Sequence, residues 1–257
     1  MKILVCDRLE EKVLDKFEEL GEITNISESK TKNEDLISNI VDTEIVVIRS
    51  GTKINKDILE NANNLKIIAR CGVGVDNVDV EEATNKKIYV TNSPNANIIS
   101  VAELTIGLII SAARKIHVSN NSLKDKKWDR NKFLGTELYQ KQLGLVGFGK
   151  AAKEVAKRLS AFGMNIVFYD PYVDSSTIEA KKVDLDELLK TSDVISIHVV
   201  KTEETTNLIN NEKLNLIKKG GILVNTSRGG IVDEESLFQK ANEDLIFAGL
   251  DVFSQEP

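Results

Sequence analysis

The sequence is poor in sulfur, in imidazole and in net positive charge, and each shortage removes a class of protein. Two cysteines, Cys6 and Cys71, stand in unrelated contexts without CxxC spacing. Neither a disulfide framework nor a metal-ligand set is therefore expected, and a reducing, cytoplasmic environment fits best. Lysine and arginine number 34 against 40 aspartates and glutamates, a net charge of −6 with both signs interspersed along the chain. Nucleic acids and membrane surfaces need a concentrated basic face, so neither is expected as a partner. A small anion held by one or two arginines suits this balance.

Long apolar runs are missing as well. The opening MKILVCDRLE has too short an apolar run before Asp7 for the core of a signal peptide and reads as a first strand. The most apolar stretch, IISVAELTIGLIISAA at 98–113, is interrupted by Glu103 and falls short of the ~20 residues of a membrane span. It reads as a buried helix. No short-period repeat or low-complexity segment is present.

What the chain does contain is alternation. At 257 residues it exceeds the usual single-domain size, so two domains are expected. KILVCD, EIVVIRS, LKIIAR and IYVTN carry a β-branched strand signal, separated by helical pieces such as EEKVLDKFEEL and NKDILENAN. This set runs to NSPNAN, where Pro94 marks a loop. A long helix follows from about 98, then a polar stretch over 120–140 with no clean period. A second alternating set comprises QLGLVGFG, NIVFYD, DVISIHVV, GILVNTS and LIFAGLDV. Gly163 and Gly220 read as left-handed helix caps. The expectation is an α/β protein of two parallel-sheet domains, residues 1–95 and 96–257.

The most informative motif is GFGKAAKEVAKRLSAFGMNIVFYD. Gly147 and Gly149 permit a tight turn and close approach of a pyrophosphate, and Ala152 takes the third position, where helix packs on strand. The amides of Lys150, Ala151 and Ala152 open the next helix, whose positive dipole end favours phosphate. Asp170 closes the following strand at the ~20-residue spacing of a ribose-binding acid. It would repel a 2′-phosphate and no arginine follows closely, so NAD is favoured over NADP. In NTSRGGIVDEESL, Arg228 lies just past a strand, at the carboxyl edge where open α/β sheets bind ligands.

These blocks, together with CGVGVDNVD, NSPNANIISVAEL and GLDVFSQEP, run over essentially the whole chain and resemble the NAD-dependent D-2-hydroxyacid dehydrogenases. The resemblance implies a flavodoxin-like substrate domain at 1–95, short of its returning C-terminal helix, and a Rossmann NAD-binding domain at 96–257. It also implies a dimerisation arm at about 98–138, with Trp128 as an interface anchor or a locally packed residue, and hence a homodimer or dimer-based oligomer. IRSGTKI and DKKWDRNKFLGTEL narrow the likeness to members acting on a phosphorylated 2-hydroxy acid. Reductases of unphosphorylated keto acids and NAD-binding scaffolds without catalysis share the fold.

Residue by residue, the resemblance assigns the catalytic arginine to Arg228 and the acid that orients a catalytic histidine to Glu256. Val199, Thr226 and Asp251 become further cofactor contacts. Arg49 and Arg70 are expected to meet the substrate phosphate, and the amides of Gly72, Val73 and Gly74 its carboxylate. The family histidine follows the final EP block, so the resemblance implies a C-terminally truncated chain of poor turnover. His117, at a solvated helix end, and His198, at the end of a cofactor-domain strand, are weak substitutes. Val200 replaces the proline usual in the family.

Overall fold

The structure, a computed structural model, describes residues 1–27 and 32–256; Pro257, the last residue of the final block, lies outside the described residues. The chain divides into two compact units, Met1–Asn97 and Ile98–Pro257.

In the first unit five strands, β1 (Lys2–Val5), β2 (Glu22–Asn25), β3 (Ile45–Ile48), β4 (Ile67–Arg70) and β5 (Tyr89–Asn92), lie in the order β2-β1-β3-β4-β5. Every pairing is parallel, and this is the flavodoxin-like order, whose direction reverses between β1 and β3. Helices α1 (Glu11–Glu18), α2 (Asn33–Ile40), α3 (Lys56–Asn61) and α4 (Val80–Asn85) make the crossovers. Leu36 and Ile40 of α2 and Ile58 and Leu59 of α3 pack with Leu4, Val46 and Ile68 of the sheet. Strand β2 was not expected from the sequence: its four residues are exposed or half-buried, so it carries almost no apolar signal.

The second unit opens with α5 (Ile98–Ala113) and α6 (Ile116–Lys124). There follow β6 (Gln142–Val146), α7 (Lys150–Ser160), β7 (Asn165–Tyr169), β8 (Lys181–Lys182), α8 (Leu185–Thr191), β9 (Val194–Ile197), α9 (Asn211–Leu214), β10 (Gly221–Asn225), α10 (Glu234–Asn242) and β11 (Ile246–Leu250). The sheet order is β11-β10-β9-β6-β7-β8, all parallel. Counted within the unit this is the doubly wound order 3-2-1-4-5-6, with its switch point between β6 and β9.

Helices cover both faces, which is why VISI in β9 and GILVN in β10 are buried at every position and read as unbroken apolar runs. On one face, Ala102 and Ile109 of α5 and Ala152, Val155, Ala156 and Leu159 of α7 pack on Leu143, Leu145, Ile222 and Val224. On the other, Leu188, Leu189, Leu214 and Leu237 of α8–α10 pack on Val146, Ile195, Ile197 and Leu223.

The expected buried helix at 98–113 is buried along one side only, with Ile99 and Leu104 exposed. No described helix is long and apolar enough to cross a membrane. The polar 120–140 stretch contains the end of α6 and a 3-10 turn over Arg130–Phe133, and Trp128 is 77% exposed, so it does not pack locally. Gly163 is left-handed just past α7, whereas Gly220, also left-handed, follows a turn rather than the end of α9.

Candidate functional site

Because all strands of the second sheet run parallel, Gly147, His198, Thr226 and Asp251 leave β6, β9, β10 and β11 at one edge. Gly147 holds φ +88°, and a Cβ there would lie 2.8 Å from the carbonyl carbon and oxygen of His198. Only glycine fits, because both the backbone angle and the neighbour exclude a side chain. Val199 touches the same turn, its Cγ1 lying 2.9 Å from that Cβ position. Between the two glycines Phe148 turns inward and stacks on Phe168, ring centroids 4.0 Å apart. This anchor, invisible in the glycine spacing, pins the turn to the core.

Gly149 differs in kind. It is the N-cap of α7 and provides no side-chain cap, and a Cβ there would meet no protein atom within 4 Å. Its missing side chain thus leaves open space directly before a helix N-terminus. The amides of Ala151 and Ala152, in the first turn, have no intrahelical acceptor, and Ala152 is fully buried against the sheet. A bare backbone cradle with outward amides and a positive dipole end fits a pyrophosphate.

At the end of β7, Asp170 Oδ2 accepts the Phe148 amide at 2.8 Å and Oδ1 accepts the Tyr172 amide at 2.8 Å. The ribose-binding acid of the sequence reading therefore also braces the glycine turn. Its lone pairs are not exhausted by two bonds, so hydroxyl donors can still be accepted.

Beyond β10, the buried Asn225 builds the turn that carries Arg228. Its Oδ1 accepts the Ser227 amide (3.0 Å) and hydroxyl (2.8 Å), and its Nδ2 donates to the Arg228 carbonyl at 2.9 Å. The Arg228 guanidinium donates to the Ser227 carbonyl at 2.7 Å and is half-buried. Thr226 contacts Thr105 of α5, hydroxyl oxygens 2.8 Å apart; since the Thr105 hydroxyl donates to Val101 O, Thr226 is the donor. Glu256 is exposed, its Oε1 accepting the Phe253 amide at 3.3 Å, and Asp251 is exposed with its amide bonded to Asn225 O.

His198 Nε2 lies 2.9 Å from Ser196 Oγ. Although the residue keeps some surface, its ring is packed among protein atoms, and burial pushes its pKa down to about 4. It is neutral at physiological pH. His117 lies exposed on α6.

In the first unit the loop after β3 is held from both sides. The Asp7 carboxylate accepts the amides of Arg49 (2.6 Å) and Thr52 (3.2 Å), while Asn77 Nδ2 donates to the carbonyls of the same residues (2.7 and 2.6 Å). Arg49 then lines a cavity of about 800 Å³ with Arg8, Asn25 and Ser27, beside the β1–β3 switch point. Arg70 ends β4 in register with Ile48. Its guanidinium lies over Gly72, where a Cβ would stand 1.3 Å from Nη1. Asn92 Nδ2 donates to Val73 O at 2.7 Å and fixes the loop through Gly74. Neither Asp7, Asn77 nor Asn225 was singled out from the sequence; the Asn-Thr-Ser order after β10 was a usable cue, because Asn favours bonding a backbone amide two residues on.

A doubly wound sheet with a glycine turn at its switch point and an acid closing the next strand defines the dinucleotide-binding class of α/β proteins. The chain belongs to the D-isomer-specific 2-hydroxyacid dehydrogenases: the model of that family's NAD-binding domain matches residues 106–257. Over its whole length the chain is 47% identical to D-3-phosphoglycerate dehydrogenase of Methanocaldococcus jannaschii, covering 50% of that protein. It is 45% identical to hydroxypyruvate reductase of Thermotoga maritima, covering 84% of it. The TT0316 protein of Thermus thermophilus superposes with a TM-score of 0.94 at 35% identity, over 100% of this chain and 83% of the other. The chain thus spans about half the length of the phosphoglycerate dehydrogenases it matches. NAD is the cofactor of the matched domain.

Proposed function

We propose that the chain carries the cofactor and substrate machinery of a D-3-phosphoglycerate dehydrogenase. Its reaction oxidises 3-phospho-D-glycerate with NAD to 3-phosphohydroxypyruvate, NADH and a proton, the entry to L-serine biosynthesis. The observation that carries the reading is the placement of the Gly147 and Arg228 turns at one carboxyl edge of a single parallel sheet, with only β9 between their strands.

Bound NAD supplies the hydride acceptor. The Gly147–Gly149 turn and the amides of Lys150, Ala151 and Ala152 hold the pyrophosphate, and Asp170 accepts from the ribose hydroxyls. Val199, Thr226 and Asp251 flank the remainder. Arg228 presents a planar, permanently charged fork to the substrate carboxylate and C2 oxygen. Glu256 orients the group that exchanges the C2 hydroxyl proton. A carboxylate beside an imidazole favours its protonated form and raises its pKa, whereas His198, held neutral by burial, has no part in this reading. Arg49 and Arg70 take the phosphate and the Gly72–Gly74 amides the carboxylate. Assembly is a cytoplasmic homodimer or dimer-based oligomer through the 98–138 arm.

NADH formation from 3-phospho-D-glycerate, compared with D-glycerate, tests the substrate. The phosphate ester is expected to have the higher kcat/KM, and Arg49→Ala to remove that preference. Reduction of hydroxypyruvate is the second reading, favoured by the 45% identity to the Thermotoga reductase. A preference for the unphosphorylated acid would replace the first reading by the second.

A further inference from the structure

Glu234 stands in the first turn of α10, behind an N-cap, Asp233, whose own side chain accepts the Ser236 amide. With the cap supplied by its neighbour, the Glu234 carboxylate is turned to other work. Its Oε1 accepts the Gly230 amide at 3.1 Å and the Ser254 amide at 2.7 Å, and its Oε2 accepts the Ser254 amide at 2.9 Å and the Ser254 hydroxyl at 2.8 Å. One carboxylate therefore ties together the segment after β10 and the segment after β11.

Both tied residues are close in sequence to groups with assigned work. Gly230 follows Arg228 by two residues, and Ser254 precedes Glu256 by two. The two segments are also in direct contact, because a Cβ on Gly229 would lie 1.9 Å from the Phe253 carbonyl oxygen. Further bonds converge on the turn: Lys201 Nζ donates to Gly229 O at 2.9 Å, and the Asp251 amide to Asn225 O at 3.0 Å. Among these contacts, Glu234 supplies the side-chain acceptor that bridges the turn to Ser254. Hydrogen bonds to an ionised acceptor are shorter and stronger than neutral ones, so a bridging carboxylate suits a joint that must hold one register.

We infer that Glu234 is a positioning residue: it fixes the spacing between the turn carrying Arg228 and the segment carrying Glu256, so that guanidinium and acid face one substrate in a set arrangement. The inference rests on the reading of Arg228 as the carboxylate-binding residue. It assigns Glu234 no contact with substrate or cofactor. Glutamine at this position keeps the shape but loses the charge and one acceptor, so its effect falls in the same direction as alanine and is smaller.

The test uses the 257-residue chain and its Glu234→Ala, Glu234→Gln and Arg228→Ala variants, with NADH affinity read by fluorescence and oxalate, a planar dianion, titrated into the NADH complex. Glu234→Ala is expected to leave NADH affinity within about twofold, because the Gly147 turn is untouched, and to weaken oxalate about tenfold. Glu234→Gln weakens it less, and Arg228→Ala removes oxalate binding. Unchanged oxalate affinity in Glu234→Ala, or NADH affinity lost in parallel, would overturn the inference. Amide hydrogen exchange gives an independent arm: Gly230 and Ser254 must both accelerate in Glu234→Ala and, to a smaller extent, in Glu234→Gln; acceleration of one alone in the alanine variant, or of neither in either variant, refutes the clamp. A parent chain that binds NADH but no oxalate refutes the role of Arg228 instead, and the exchange arm then decides Glu234 by itself. Should the alanine variant fail to fold, the glutamine variant carries both readouts.

Discussion

The Asp170 carboxylate reaches back across the sheet edge to the Phe148 amide, 2.8 Å away, so the residue that closes β7 also braces the turn that ends β6. Position and charge are thus set before any ligand arrives. In the proposed site, the carboxylate is held where ribose hydroxyls would meet an acceptor and a 2′-phosphate would meet a like charge. Asp170→Ala is expected to weaken NADH binding about 10- to 100-fold, the worth of a hydrogen bond to a charged group, and to narrow the preference for NADH over NADPH. Fluorescence titrations with both nucleotides check this; an unaltered ratio would remove Asp170 from the ribose site.

A second expectation concerns acid stability. His198 has an ordinary imidazole pKa of 6.5 when unfolded and about 4 in the fold, because burial disfavours its charge. The unfolded chain therefore binds more protons between these values. This contribution is intact above pH 6.5 and is lost progressively as pH falls toward 4, to a total on the order of 3 kcal/mol. Denaturant titrations of the parent and of His198→Gln across pH 4–7 should diverge in slope, with the variant flatter. Parallel curves would show that the imidazole titrates normally in the fold.

The two thiols should differ in reactivity. Burial, with Asp7 adding to it, pushes the Cys6 thiol up to about 12; burial also raises Cys71, opposed by Arg49 and Arg70. Cys6 is fully buried and Cys71 partly exposed. Since the thiolate is the reactive form, iodoacetamide at neutral pH is expected to modify Cys71 slowly and Cys6 only on unfolding. Peptide mass spectrometry reads the order, and equal rates would contradict it.

How much of this was legible beforehand follows from the same physics. Strands covered on both faces, such as β9 and β10, declare themselves as continuous apolar runs, so both sheets could be read. Strand β2, at an open edge with only Ile23 partly buried among clearly exposed neighbours, could not. Nor could α6: it buries no residue, and its N-cap Lys115, with a φ of 53°, breaks the chain away from α5.

The glycine turn was legible because its constraint is local, a φ angle and a spacing. The bonds that aim the functional groups were not, because they join distant positions through ordinary polar residues: Thr105 with Thr226, Asp7 with Arg49, Glu234 with Ser254. Arg70 illustrates the point in reverse. The sequence marks it as a cation at a strand end, but only the fold shows its guanidinium occupying the space that Gly72 leaves.

The central claim, that a dinucleotide pyrophosphate lies on the open backbone before α7, is tested most directly by one alanine. At Gly149 the backbone has φ −76°, which any residue adopts, and an added Cβ meets no protein atom within 4 Å. Gly149→Ala should therefore cost the fold no more than about 1 kcal/mol, the difference between glycine and alanine at an N-cap, while NADH affinity falls at least roughly tenfold. Gly147→Ala provides the contrast: its left-handed backbone and its collision with His198 should cost the fold itself roughly 1–3 kcal/mol. A Gly149→Ala chain that is fully stable and binds NADH as tightly as the parent would contradict the account.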